Sequence, residues 1–171
     1  MINQIENKLS YTVELVALTA EEVLSQGALY YIAPSFRWNK PPRSAIELYR
    51  RIFESELPIR NDIKLLINLD CVGRGIAIGI LNERYMAKSV LKNLLKIEEK
   101  MNILIYDVPF KLHQGDCLLF DKCKLPYICI SRFDEEICKV IHTKYDEFSL
   151  LNINDILHTI FISTEIVKAM N

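Results

Sequence analysis

The stretch from Glu83 to Lys100 constrains the fold of this chain more than any other. Met86, Val90, Leu91, Leu94 and Ile97 recur there at spacings of three and four, the period of a helix with one apolar stripe. Such a helix is stable only against an apolar surface, and its neighbours in the sequence offer one. Residues 63–69 and 76–81 are apolar runs, the second with Ile76, Ile78 and Ile80 alternating with Ala77 and Gly79. Residues 102–108 form a third run that stops before Pro109. Runs of this length and residue type are strand patterns. The first two, joined through Asp70 to Gly75, read as a hairpin, and parallel pairing is expected only across the long helix.

The remaining elements are assigned in the same way. Tyr11, Val13 and Leu15 alternate with polar residues and suggest a strand. Thr19 and Glu22 form a capping box for a short helix that Gly27 ends, followed by a strand over 28–33; a helix over 9–26 is the competing reading. Pro34, Pro41 and Pro42 mark residues 34–43 as an exposed loop. Ser44 and Glu47 make a second capping box, and Ala45, Leu48, Tyr49, Ile52 and Phe53 then fall at helical spacing. Residues 117–120 and 127–133 read as strands, and 134–143 as either helix or strand. A last helix is capped by Asn152 or Asn154 and buries Ile156, Leu157, Ile160, Phe161 and Val167. The expected fold is α+β: a single domain over 1–171, with a mostly antiparallel sheet of five or six strands covered by three or four helices.

Half of the residues are apolar, which excludes a disordered chain. The longest stretch without a charged residue, 23–36, has 14 residues and contains Gly27 and Pro34. A membrane-spanning helix needs about 20. With no apolar run of leader length at its start, the chain reads as cytoplasmic. Five cysteines, an odd number, are then expected as free thiols, with Cys117 and Cys129 inside apolar runs. His113 and Cys117, and Cys138 and His142, are four apart, but the cysteines lack the close pairing of structural zinc sites. No metal and no cofactor are expected.

Three constellations carry chemistry. Gly73, Gly75 and Gly79 precede the long helix, and Asp107 closes the following run, the plan of a phosphate-binding βαβ unit for a nucleotide or acyl-coenzyme A. The spacing is G-x-G-x-x-x-G, and the alternating isoleucines suit a strand better. The second is a cationic row, Arg84, Lys88, Lys92, Lys96 and Lys100, at every fourth position; a solvated face is the favoured reading. The third is the loop with Phe36, Arg37, Trp38, Lys40 and Arg43, where an aromatic among cations suits a protein hot spot or a stacked base.

Residues 37–100 hold 13 Lys/Arg against 8 Asp/Glu, while the flanks hold 8 against 14. No nucleophile–base pair or hydrolase motif is readable around His113, His142 or His158, and Glu14, Glu21, Asp107 and Asp116 suggest no chemistry beyond this. The reading therefore leans away from an enzyme. It favours a protein that occludes a partner protein by shape and charge, a toxin-neutralising immunity protein or inhibitor, or a secretion-type chaperone, through Arg37, Trp38, Lys40, Arg43, Arg84, Lys88, Lys92 and Lys96. The alternatives are a nucleotide- or acyl-coenzyme-A-dependent transferase using the Gly73–Gly79 loop, and an RNA or single-strand binder using the Arg37/Trp38 loop and the Lys88–Lys96 row. Nucleic acid is not the favoured partner, and the oligomeric state is not readable.

Overall fold

The computed structural model describes residues 9–19, 22, 25–34, 44, 47, 50, 59–107 and 115–170. Four strands form one sheet: β1 (Leu66–Leu69), β2 (Ile76–Leu81), β3 (Leu104–Asp107) and β4 (Tyr127–Phe133). Five helices accompany them: α1 (Gln26–Ile32), α2 (Lys88–Met101), α3 (Gly115–Lys122), α4 (Glu135–Val140) and α5 (Ile153–Ala169). The class is α+β, as expected, but the sheet differs. It is mixed, in the order β1-β4-β2-β3, with β1 parallel to β4, β4 antiparallel to β2, and β2 parallel to β3.

The physical reason lies in β4. Tyr127, Ile128, Cys129 and Ile130 are all buried, so both faces of this strand must be covered. It therefore takes the centre of the sheet and separates β1 from β2, which do not form the expected hairpin. Parallel pairing across the long helix does occur, in β2–α2–β3. A second parallel pair, β1 with β4, joins strands far apart in the chain.

Side chains alternate between two cores. On one face Tyr127, Cys129 and Leu66 pack with α1 and α3 through Ala28, Leu29, Ile32, Cys117 and Phe120. On the other, Ile128, Ile130, Ala77 and Leu81 pack with α2 and α5 through Leu94, Ile97, Ile162 and Ile166.

Several local expectations are corrected. Residues 26–32 are helix α1, not a strand after a glycine stop. Gly27 lies inside it because the backbone of Thr19 crosses there: the Gly27 N–H donates to the Thr19 carbonyl at 3.0 Å, and a Cβ would lie 2.3 Å from that oxygen. Residues 115–122 are helix α3, burying Cys117, Leu119 and Phe120. Residues 12–19 form no strand. The long helix begins at Lys88, since Asn82 Oδ1 and Asp107 Oδ1 accept from the N–H groups of Arg84 and Glu83 and hold 83–85 as a separate 3₁₀ turn. Helix α5 buries Thr159, Ile162 and Ile166 and leaves Leu157, Ile160 and Phe161 exposed. The Thr159 hydroxyl, bound at 2.8 Å to Arg132 Nε, turns that face inward.

Ser44 Oγ accepts from the Glu47 N–H at 3.2 Å, as a capping box requires; the rest of the helix expected there lies outside the described residues. Among the described residues, no helix is long and apolar enough to cross a membrane.

Candidate active site

In open sheets with parallel strands, ligands gather beyond the carboxyl ends of the strands. Here those ends belong to β1 and β4. Asp70 follows β1 directly, its N–H donating to the Ile130 carbonyl at 3.1 Å, and the Arg132 N–H closes the ladder on the Cys71 carbonyl at 3.0 Å. Cys71 sits in the left-handed region, φ 52°, which turns the chain off the sheet and leaves Asp70 exposed at the rim. Burial first, and then Asp70 and Asp146, push the Cys71 thiol up to about 12, so it is no nucleophile at neutral pH.

A second carboxylate comes from the first turn of α3. Asp116 is 5% exposed; the Ser25 hydroxyl donates to it, while its Oδ1 has no partner among the described residues. Burial raises its carboxyl above the usual range, and the nearby Asp70 charge adds to the effect. Asp70 and Asp116 both line a cleft of about 800 Å³ between β1 and the segment 11–18. Tyr11 pins that segment by donating its hydroxyl to the Val167 carbonyl of α5, and Arg60 ties it to the approach to β1 through Glu14 at 3.1 Å. Arg60 holds Glu14 below the usual carboxylate range.

The rim is braced from behind by Arg132, whose side chain is 3% exposed. Its guanidinium donates to Thr159 Oγ1 at 2.8 Å, to Asp155 Oδ1 at 3.2 Å, to the Gly75 carbonyl and to His158 Nδ1. Since arginine only donates, His158 carries its proton on Nε2. Asp155 Oδ2 accepts from the Gly75 N–H at 3.0 Å, and the Asn152 N–H donates to the Gly73 carbonyl at 2.8 Å, so the 70–75 loop is clamped to the start of α5. Arg74 binds Asp134 at 2.7 Å and also Glu136. His142 Nδ1 lies 3.3 Å from Glu22 Oε1, both exposed.

The residues expected from the sequence fall elsewhere. Arg37, Trp38, Lys40 and Arg43 lie outside the described residues, as does His113. Arg84 is on the 3₁₀ turn and Lys88, Lys92 and Lys96 on α2, all exposed. Gly73 and Gly75 precede β2, not a helix, and Gly79 is inside β2, where a Cβ would press on Ile128, Ile105 and Ile103. Asp107 serves as the cap on the Glu83 N–H. These four form no phosphate loop, because the helix that would receive the anion starts seven residues after β2 ends, at Lys88.

What sequence reading missed is the pair Asp70 and Asp116. The available signal, for Asp70, was an acid placed at the very end of an apolar run, Leu-Ile-Asn-Leu-Asp over 66–70.

The model of peptidase family M28 matches residues 1–167. The chain belongs to peptidase family M28. This membership corrects the expectation of an immunity protein, inhibitor or chaperone; the transferase and RNA-binding alternatives give way with it. A solved structure of a candidate peptidase from Clostridium acetobutylicum shares the fold at a TM-score of 0.51 and 13% identity, over 86% of this chain and 37% of that one. The M28 chain thus spans little more than a third of the solved structure it resembles. No curated protein matches it.

Peptide hydrolysis in aminopeptidases and related enzymes commonly uses metal-bound water held by three or more protein ligands. Asp70 and Asp116, with the unpartnered Oδ1, offer oxygen donors. Among the described residues, however, no three His, Cys, Asp or Glu side chains are grouped to hold an ion. The described donor set does not fit a resident metal.

Proposed function

We propose that this chain takes part in peptide-bond hydrolysis, binding an extended peptide in the cleft beside β1 with the bond to be cut at the Asp70–Asp116 rim. The match to the M28 family over 1–167 carries this reading. The strand geometry supports it. Leu66 and Asp70 turn their N–H groups to the carbonyls of Pro126 and Ile130, so the alternation of a parallel ladder turns those of Ile67 and Leu69 toward the opposite side, away from β4. In the described sheet β1 has no neighbour on that side, and the cleft runs beside it. An extended peptide is the ligand whose backbone matches such an edge.

At the rim the two carboxyls divide the work. Asp116, held above its usual range by burial, suits proton transfer to or from the reacting amide. Asp70, exposed at the end of the strand, is placed to accept from a peptide N–H. The cytoplasm is the proposed location, since Cys117 and Cys129 are packed as buried free thiols.

The test is incubation with a mixture of free and end-blocked peptides, followed by mass spectrometry of the new termini. The wild-type chain is expected to cleave, with Asp70→Asn and Asp116→Asn slower by about 10²-fold or more, the range of general acid–base contributions. Cleavage by both variants at the wild-type rate would overturn the assignment.

A further inference from the structure

Behind the rim, on the α1/α3 side of the sheet, three elements bring sulfur together. Asn68 of β1 is the register partner of Cys129 on β4, and its Nδ2 donates to Cys129 Sγ at 3.5 Å and to Cys117 Sγ of α3 at 3.7 Å. Ser131 Oγ lies 3.8 Å from Cys129 Sγ. Both thiols are buried, 3% exposed for Cys117 and 6% for Cys129, so only a small reagent reaches them.

We propose that Cys117 and Cys129 form a modification site, a dithiol that a hydroperoxide oxidises to an intramolecular disulfide joining α3 to β4. The geometry assigns the two roles. Cys129 Sγ accepts from the Asn68 amide at 3.5 Å, and Ser131 Oγ at 3.8 Å can add a second hydrogen bond, an arrangement that favours its thiolate; Cys117 Sγ has only the longer Asn68 contact at 3.7 Å. Cys129 is therefore the attacking sulfur and Cys117 the resolving one.

The Cys129 thiolate attacks one peroxide oxygen, the O–O bond breaks, and the departing hydroxide takes up a proton as water. The resulting sulfenic acid at Cys129 is then attacked by the Cys117 sulfur. The S–O bond breaks and a second water leaves with the Cys117 proton. Two thiols lose two electrons and two protons in all, and the hydroperoxide is reduced. Since Cys117 adjoins Asp116, and Asn68 stands two residues before Asp70, the bridge would form directly beneath the rim.

The experiment uses the reduced 171-residue chain and one equivalent of hydrogen peroxide, followed by denaturation and N-ethylmaleimide. The expected product is lighter by about 2 Da before alkylation and takes up three maleimides in place of five. Trypsin should release peptide 112–122 joined to peptide 125–132. With Cys117→Ser, dimedone should trap a sulfenic acid at Cys129. Asn68→Ala, its fold checked by circular dichroism, should lose thiols about tenfold more slowly, as expected for the loss of one hydrogen bond to the thiolate. Oxidation confined to the exposed Cys71 and Cys138, with peptides 112–122 and 125–132 unlinked, would overturn the proposal. These readouts are independent of peptidase activity.

Discussion

Replacing Asp116 with asparagine should make the protein more stable and less active at once. Asp116 is 5% exposed, and its Oδ1 has no partner among the described residues. Leaving a buried polar atom unsatisfied costs about 1–3 kcal/mol, more when it bears charge, whereas the bond from Ser25 returns about 1 kcal/mol. An amide keeps the shape and the Ser25 contact but removes the charge. Asp116→Asn is therefore expected to gain about 1 kcal/mol at pH 7, a rise in Tm of about 2–4 °C for a chain of this size.

The sign with pH follows from the raised carboxyl. A group whose folded pKa is raised favours the folded state in its protonated form. The wild-type deficit is therefore full above the folded value and vanishes below the unfolded value of about 3.9. Urea midpoints for both proteins between pH 4 and pH 8 should converge as pH falls. If Asp116→Asn is less stable than wild type at pH 7, or the gap does not close in acid, the carboxylate is satisfied and its proposed proton-transfer role loses its basis. A gain in stability with a loss of turnover is the pattern of a site that carries strain for function.

Other substitutions test the frame. Arg132→Met leaves Asp155, Thr159 and the Gly75 carbonyl without their shared donor and should cost about 3 kcal/mol in urea unfolding, as for a broken buried pair. Gly75→Ala places a Cβ 2.3 Å from the Phe133 carbonyl carbon at φ 106° and should lower stability by about 2 kcal/mol or more, read as a drop in Tm. Ile166→Ala should cost about 2–5 kcal/mol, whereas the exposed Leu157→Ala should stay within about 0.5 kcal/mol. Equal effects of the last pair would return α5 to the orientation expected from its sequence.

Much of the secondary structure was readable before the fold was known. The stripe of Val90, Leu91, Leu94 and Ile97 marks α2, and the β-branched and aromatic run Tyr127 to Phe133 marks β4. Short segments were less secure. Ala28 to Ile32 and Cys117 to Phe120 are apolar runs too brief for a period to show, and each became a helix once packed on the sheet. Helix α5 shows a different limit. Its apolar residues surround it, so Thr159, a polar residue that finds Arg132 across the core, chose the buried face.

The α+β class, the long helix and the strand that follows it are legible in the chain as written, because each is encoded within about ten neighbouring residues and their local period. The place of β4 between β1 and β2 comes from folding alone, since strand order depends on pairing residues some 60 positions apart, as in Leu66 with Tyr127. The same long-range pairing brings Asp70 and Asp116 to one rim, and sets Cys117 against Cys129 beneath it. Neither pair has a spacing that a chain read in order would single out.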